Sequence, residues 1–361
     1  MIRETLFACL VTLSIVALSC NAQKDQQPDP VGRYIQQRGD SIYKSGEVPG
    51  MLVSILRNGQ RQYFNFGYAA PDNKVPFDSA TIYEIGSITK TFTAYVLVAV
   101  LMEKGISDTS KILPYLPDSV QRNTSLSHIS FLSLMNHSSG LPRLPSNIDM
   151  VNDPMAPYDH YTEGQLYTYL KSATPTTNGA SAYSNLGAGL AGVLAARIAG
   201  ASYETLLDKH MFQPFGLKRH SDESIAAEEH KAQGHFDIMK SNYWKADALA
   251  PAGTLKCTSA EILTYFQSMI NPPTAASRQI VDTLLRPTLT VLPSMRVCRG
   301  WFTVGADSLK VYWHNGGTYG FSTFGAFNRE KNVAVSIVIN KFDHNPISDE
   351  FGLMIMQKLL Q

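Results

Sequence analysis

The chain of 361 residues carries 31 Lys+Arg against 30 Asp+Glu, a formal net charge of +1. No diffuse attraction to phosphate backbones or anionic lipid is encoded, and nucleic acid is excluded as an expected partner. With 44% hydrophobic and 17% charged residues, the chain has material for a large core and is not disordered; no compositional break divides it equally, so one sizeable folded body with two lobes is expected.

Residues 6–18 form an apolar run after Arg3 that is too short to span a bilayer, and polar Asn21, Gln23, Lys24 and Asp25 follow it. This pattern predicts an export signal over residues 1–22. Two processing routes stand open: cleavage before Cys20 with acylation of its thiol, or cleavage after Ala22. The lipid-anchored route is preferred by analogy with bacterial lipoprotein signals, although Leu18 sits one place too near Cys20 and Glu4 weakens the basic start. Residues 23–30 then read as a polar tether. Once Cys9 leaves with the signal, Cys257 and Cys298 are a disulfide or two buried thiols. His230 and His235 lack helical i,i+4 spacing and no Cys-x-x-Cys occurs, so no metal site is expected.

Residues 51–56 and 62–69 are apolar and aromatic runs joined by Arg57-Asn58-Gly59-Gln60, a hairpin signal. Residues 81–85 are strand-like. Near the other end, 300–304, 311–314, 322–327 and 333–339 read as four further strands before a helix over 347–360. Between them 89–268 is mostly helical, including a helix over 186–199 closed by Gly200. The order predicts an α/β (α+β) fold: an antiparallel sheet built from N- and C-terminal strands and flanked by helices, with an inserted all-α lobe. A single domain over 30–361 is expected, its α/β lobe about 30–88 and 250–361 and its helical lobe about 89–249.

The helix beginning near Ser87 is apolar almost all round from Phe92 to Met102, with Gly105 as its C-cap, and is predicted to be buried. Ser87 and Lys90 lie three residues apart and share one face. Burying an unpaired ammonium lowers its pKa toward a value at which it accepts a proton, which makes Ser87 a candidate nucleophile rather than only a helix cap. A second Ser-x-x-Lys, Ser41 and Lys44, lies on a polar stretch and reads as inert.

Tyr183-Ser184-Asn185 precedes the next helix and reads either as a loop ending in a cap or as chemistry. In the second reading Lys90 depresses the Tyr183 phenol, the two share removal of the Ser87 proton, and Asn185 bonds a substrate amide and Lys90. His314-Asn315-Gly316-Gly317 is either a glycine-rich hairpin or a backbone shaped to approach an acyl group, with the Gly317 N–H as a second oxyanion donor beside that of Ser87. Gly187-Ala188-Gly189-Leu190-Ala191-Gly192 has dinucleotide-turn spacing but lies inside the helical pattern, so close helix packing is expected.

Together, Ser87-x-x-Lys90, Tyr183-x-Asn185 and His314-x-Gly316 resemble, in order and separation, the serine β-lactamase-related superfamily of class C β-lactamases, penicillin-binding proteins, D-aminopeptidases and family VIII esterases. Val48-Pro49-Gly50, Phe66-Gly67-Tyr68-Ala69, His137-Ser138-Ser139-Gly140-Leu141-Pro142, Phe212-Gln213-Pro214-Phe215-Gly216-Leu217 and Pro251-Ala252-Gly253 are also similar to that family. The resemblance implies Ser87 as acylated nucleophile, Lys90 and Tyr183 as proton-transfer pair, Asn185, His314 and Gly316 as substrate-binding positions, and Gly317 with Ser87 as oxyanion hole. It implies no metal or organic cofactor, a small-molecule or peptide acyl substrate, and hydrolysis of an ester, amide or β-lactam in the periplasm or at a lipid-anchored envelope site. The alternatives are a D-Ala-D-Ala carboxypeptidase or D-aminopeptidase, and a non-catalytic binder of peptidoglycan fragments or a partner.

The third motif departs from the family's Lys-Thr-Gly. An unperturbed histidine is mostly neutral at pH 7, so His314 lacks the permanent cation that attracts a carboxylate. His314→Lys is then expected to raise activity toward carboxylate-bearing substrates relative to neutral esters.

Overall fold

Asn58 and Gly59 both adopt left-handed backbone, with φ 51° and 79°. That pair of conformations matches the twist of two flanking strands in a two-residue hairpin. It joins β1 (Gly50–Arg57) to β2 (Gln60–Gly67) and sets Arg57 opposite Gln60. The computed structural model describes residues 29–151, 155–156, 158–176 and 179–361. The expected export signal with Cys9 and Cys20, most of the tether, and Asn178 lie outside the described residues.

The remaining strands are β3 (Ile82–Glu84), β4 (Gly234–Phe236), β5 (Met239–Ser241), β6 (Lys256–Thr258), β7 (Leu289–Leu292), β8 (Met295–Val297), β9 (Phe302–Val304), β10 (Val311–Gly317), β11 (Ser322–Asn328) and β12 (Val333–Ile339). Eight form one antiparallel sheet in the order β2-β1-β12-β11-β10-β9-β8-β7. The β1–β12 pairing, with Met51 opposite Ile339, joins the two ends of the chain as the sequence predicts. β7 and β8 extend the sheet beyond that reading, and β10 runs three residues past His314. β3 and β6 form a separate ladder that sets Glu84 opposite Lys256. The segment expected to be all helical also holds the β4–β5 hairpin, turned at Asp237 with φ 54°.

Alternation along β1 divides the core. Leu52 and Leu56 join one buried cluster, while Met51, Val53 and Ile55 join another on the opposite face. The second face is covered by the helices Pro30–Lys44 and Asn345–Leu359 through Val31, Ile35, Phe351 and Ile355. The first is covered by Ser259–Ile270 through Ile262 and Phe266, and its cluster extends into the helix Thr89–Glu103. That helix is buried on all sides from Thr89 to Leu101. Each Val, Leu or Phe it removes from water contributes about 1.5–3 kcal/mol. It stops where Gly105 turns left-handed at φ 66°, with the Ile106 amide donating to the Leu101 carbonyl at 2.8 Å.

The glycine cluster in the helix Asn185–Ala199 serves packing. A Cβ on Gly189 would stand 2.7 Å from the Ala248 carbonyl oxygen, and one on Gly192 would stand 2.3 Å from Pro251. Only a helix stripped of side chains on that face can lie so close to the 248–251 backbone. Cys257 on β6 and Cys298 after β8 are both buried free thiols.

Candidate active site

The nucleophile candidate stands in a tight turn, Gly86–Ile88, between β3 and the buried helix. Ser87 therefore does not cap the helix. Gly86 is left-handed at φ 52°, and a Cβ there would fall 2.6 Å from the Gly317 nitrogen. A Cβ on Gly316 would fall 2.1 Å from the Ile85 carbonyl oxygen. These glycines let the end of β10 lie directly against the turn, which brings the backbone of Gly317 beside that of Ser87.

Lys90 is 3% exposed, and its Nζ lies 2.8 Å from Ser87 Oγ. It also donates to the Ala252 carbonyl at 2.6 Å. No carboxylate pairs with it among the described residues. Burial, with the Arg143 cation adding repulsion, holds its pKa well below the usual lysine range and favours the neutral amine. A neutral amine at hydrogen-bond distance from a serine hydroxyl is equipped to accept that proton.

Tyr183 arrives from the helical side. The following Ser184 caps the helix Asn185–Ala199, its Oγ accepting from the Gly187 amide at 2.8 Å and donating to the Pro142 carbonyl at 2.7 Å. The Ser184 amide donates to His137 Nδ1 at 3.3 Å, and the His137 ring packs on Tyr183 with centroids 4.4 Å apart. Burial keeps His137 neutral, well below the usual histidine range, so it is able to accept that bond. Lys90 Nζ stands 4.8 Å from the Tyr183 ring centroid, and the phenol interacts with the Ser87 side chain.

The expected depression of the Tyr183 phenol does not occur. Burial raises its pKa above the usual tyrosine value, outweighing the Ser87 contact and the Arg143 charge that pull the other way. Lys90 is itself driven toward neutrality, so it lacks the full charge that would hold a phenolate.

Asn185 is 8% exposed; its Nδ2 donates to the Tyr158 hydroxyl at 3.4 Å, and its Oδ1 is buried without a partner among the described residues. The expected bond to Lys90 is not formed: the Lys90 amine meets Ser87 and Ala252 instead. His314 is 1% exposed, with Nδ1 2.5 Å from the Asn315 carbonyl oxygen. Burial beside Lys90 pushes its pKa down to about 3, so the ring is neutral. Its ring centroid lies 6.3 Å from that of Tyr183, yet it is absent from the cleft wall, where Asn315, Gly316 and Gly317 stand instead.

Ser87 opens into a cleft of about 550 Å³. Trp244 packs edge-on against Tyr158 at 4.9 Å and Tyr319 at 5.1 Å, forming an aromatic wall drawn from three separate segments. Behind it, buried Glu84 accepts the Thr318 hydroxyl at 2.6 Å and the Trp244 amide. Arg143 and Asp343 also line the cleft. Sequence reasoning gave none of these seven a role. An acid inside the apolar run 81–85 was the one readable signal, since a buried carboxylate needs partners.

Fold and cleft together place the protein in a class, the serine hydrolases. The sequence matches the Beta-lactamase family over residues 31–350, and the chain belongs to that family. A beta-lactamase of Pseudomonas fluorescens is 27% identical over 341 residues, covering 84% of this chain and 91% of its own length. A beta-lactamase of Providencia stuartii is 26% identical over 263 residues, covering 71% of this chain and 63% of its own. The solved structure described as a beta-lactamase/D-alanine carboxypeptidase from Pseudomonas syringae has a TM-score of 0.77 at 21% identity, covering 91% of this chain and 99% of that one. That last likeness is one of fold.

Proposed function

We propose that the protein hydrolyses an ester, amide or β-lactam through an acyl-enzyme on Ser87. The observation that carries this reading is the 2.8 Å approach of a buried, unpaired Lys90 amine to the Ser87 hydroxyl at the cleft floor. Lys90 takes the Ser87 proton as Oγ attacks the substrate carbonyl, and the tetrahedral oxyanion accepts from the N–H groups of Ser87 and Gly317. One such donor is worth about 10²–10³ in rate. The proton passes through the Tyr183 phenol to the leaving group as its bond to the acyl carbon breaks. Tyr183 enters this step protonated, as its raised pKa requires. Water then attacks the acyl ester and gives a proton to the Lys90–Tyr183 pair; the acid departs as Ser87 regains its hydrogen. Asn185 orients the substrate amide, and Gly316 admits the strand to the nucleophile turn. The neutral His314 ring lies near that of Tyr183 and off the cleft wall, so it takes no direct part in the step.

The apolar run 6–18 supports export to the cell envelope, with Cys20 as the lipidation point. A D-alanyl peptidase reading is favoured by the name of the Pseudomonas syringae neighbour. Both readings are tested by one panel: nitrocefin, short-chain p-nitrophenyl esters and D-Ala-D-Ala peptides. Turnover of at least one class, lost in Ser87→Ala, is expected, and the class turned over names the substrate. No turnover of any of them rejects the proposal.

A further inference from the structure

We propose that Arg143 is the cleft's anion-recognition residue, so that the site prefers acyl substrates carrying a carboxylate close to the scissile bond. The inference rests on the acyl-hydrolase reading above and names its substrate class.

The third motif brings no charge to the substrate, because His314 is neutral, buried and off the cleft wall. Among the described residues lining the cleft only Arg143 and Asp343 carry formal charge. The Arg143 guanidinium carbon stands 5.3 Å from the centroid of the Tyr183 ring, the ring whose phenol meets Ser87. Its charge is felt by Lys90, His137 and Tyr158 as well, which places it in the field of the reacting groups.

The residue is anchored while its head stays available. Its carbonyl accepts from the amides of Asn185 at 3.0 Å and Leu186 at 3.2 Å, tying its backbone to the start of the helix that follows Tyr183. The side chain is exposed to the cleft and pairs with no carboxylate among the described residues. The guanidinium sits over the Tyr183 ring as a cation over a π face, and its N–H groups donate to no side chain among the described residues, which leaves them for a ligand. A planar fork of that kind matches a carboxylate with two parallel hydrogen bonds. Asp343, in the loop after β12, adds the opposite charge from the sheet side. A substrate carboxylate is therefore drawn toward the helical side and repelled from the sheet side.

The test uses the full chain and matched p-nitrophenyl esters: butyrate against hemisuccinate, which places the carboxylate in the acyl group. Phenyl acetate against 3-acetoxybenzoate places it in the leaving group. The quantity read is the ratio of kcat/KM for the anionic over the neutral member of each pair. Both members pass through the same Ser87, Lys90 and Tyr183 chemistry, so any general impairment cancels. Arg143→Gln should lower the ratio about tenfold or more in at least one pair, mainly through KM, because a bidentate charged contact is lost. Arg143→Lys should restore part of it, and the pair that responds tells which side of the scissile bond carries the carboxylate. Ser87 labelling by a fluorophosphonate reports that each variant is folded. Ratios unchanged by Arg143→Gln in both pairs overturn the proposal while leaving the hydrolase reading intact. Absence of ester turnover by the unmodified chain overturns this proposal, and the hydrolase reading falls with it only when nitrocefin and D-Ala-D-Ala peptides are not turned over either.

Discussion

Lys90 Nζ lies 2.8 Å from Ser87 Oγ and donates its other bond to the Ala252 carbonyl at 2.6 Å, with no carboxylate partner among the described residues. An ammonium buried in this way is poised to lose its proton.

Lys90→Met should lower kcat/KM toward any turned-over ester by about 10²–10⁴-fold, the usual worth of a positioned general base. Lys90 acts only when unprotonated, so the kcat/KM of the unmodified chain should rise with pH through the lowered Lys90 pKa. The residual activity of Lys90→Met should lack that limb. Pre-steady-state and steady-state kinetics over a pH series measure both.

Gly316→Ala should disrupt the site and Gly317→Ala much less. The first Cβ falls 2.1 Å from the Ile85 carbonyl oxygen, whereas the second meets only the Asn345 side-chain oxygen at 3.1 Å. Backbone cannot yield as a side chain does, so Gly316→Ala should cost about 1–3 kcal/mol of stability. It should also separate β10 from the nucleophile turn. Thermal unfolding and ester kinetics on the two variants should diverge accordingly.

The strands and the helix around these glycines were readable because their signals are local. Asn58-Gly59 requires left-handed backbone, β12 is apolar at every position but Ser336, and the Ser87–Lys90 spacing sits between a strand and an apolar helix. β7 was missed because an edge strand leaves Thr290, Val291 and Leu292 exposed and so writes no buried alternation. Arg143, Trp244 and Asp343 come from loops with no periodicity, and only the packed chain brings them to one cleft. The direction of the Tyr183 shift was misread for a similar reason. Desolvation is a property of the assembled site, and it neutralises the very lysine that was expected to stabilise the phenolate.

His314→Lys now carries a different expectation from the one the motif alone suggests. The side chain enters a buried position near Lys90 and not the cleft wall. A second buried cation should lower the melting temperature and slow all substrates together, leaving the ratio of anionic to neutral turnover unchanged. A selective gain for carboxylate substrates would place residue 314 in contact with the ligand after all.

Glu84 ties Thr318 and Trp244 together, and burial raises its pKa from 4.5 to about 7. The folded state therefore binds the proton more tightly than the unfolded chain does. The stability this contributes is fully present below about 4.5 and is lost as pH rises through about 7. Glu84→Gln should flatten the fall in melting temperature between pH 5 and 8, and should change KM because two residues of the cleft depend on the carboxylate. Calorimetry across that interval, beside substrate kinetics, measures the two effects.

The most direct measurement exposes the folded protein to a fluorophosphonate and, separately, to a penicillin, then reads intact mass and maps the modified peptide. One adduct on Ser87 is expected, absent in Ser87→Ala and formed more slowly in Lys90→Met. Folded protein that neither reagent modifies at Ser87, or an adduct that persists in Ser87→Ala, would contradict the account.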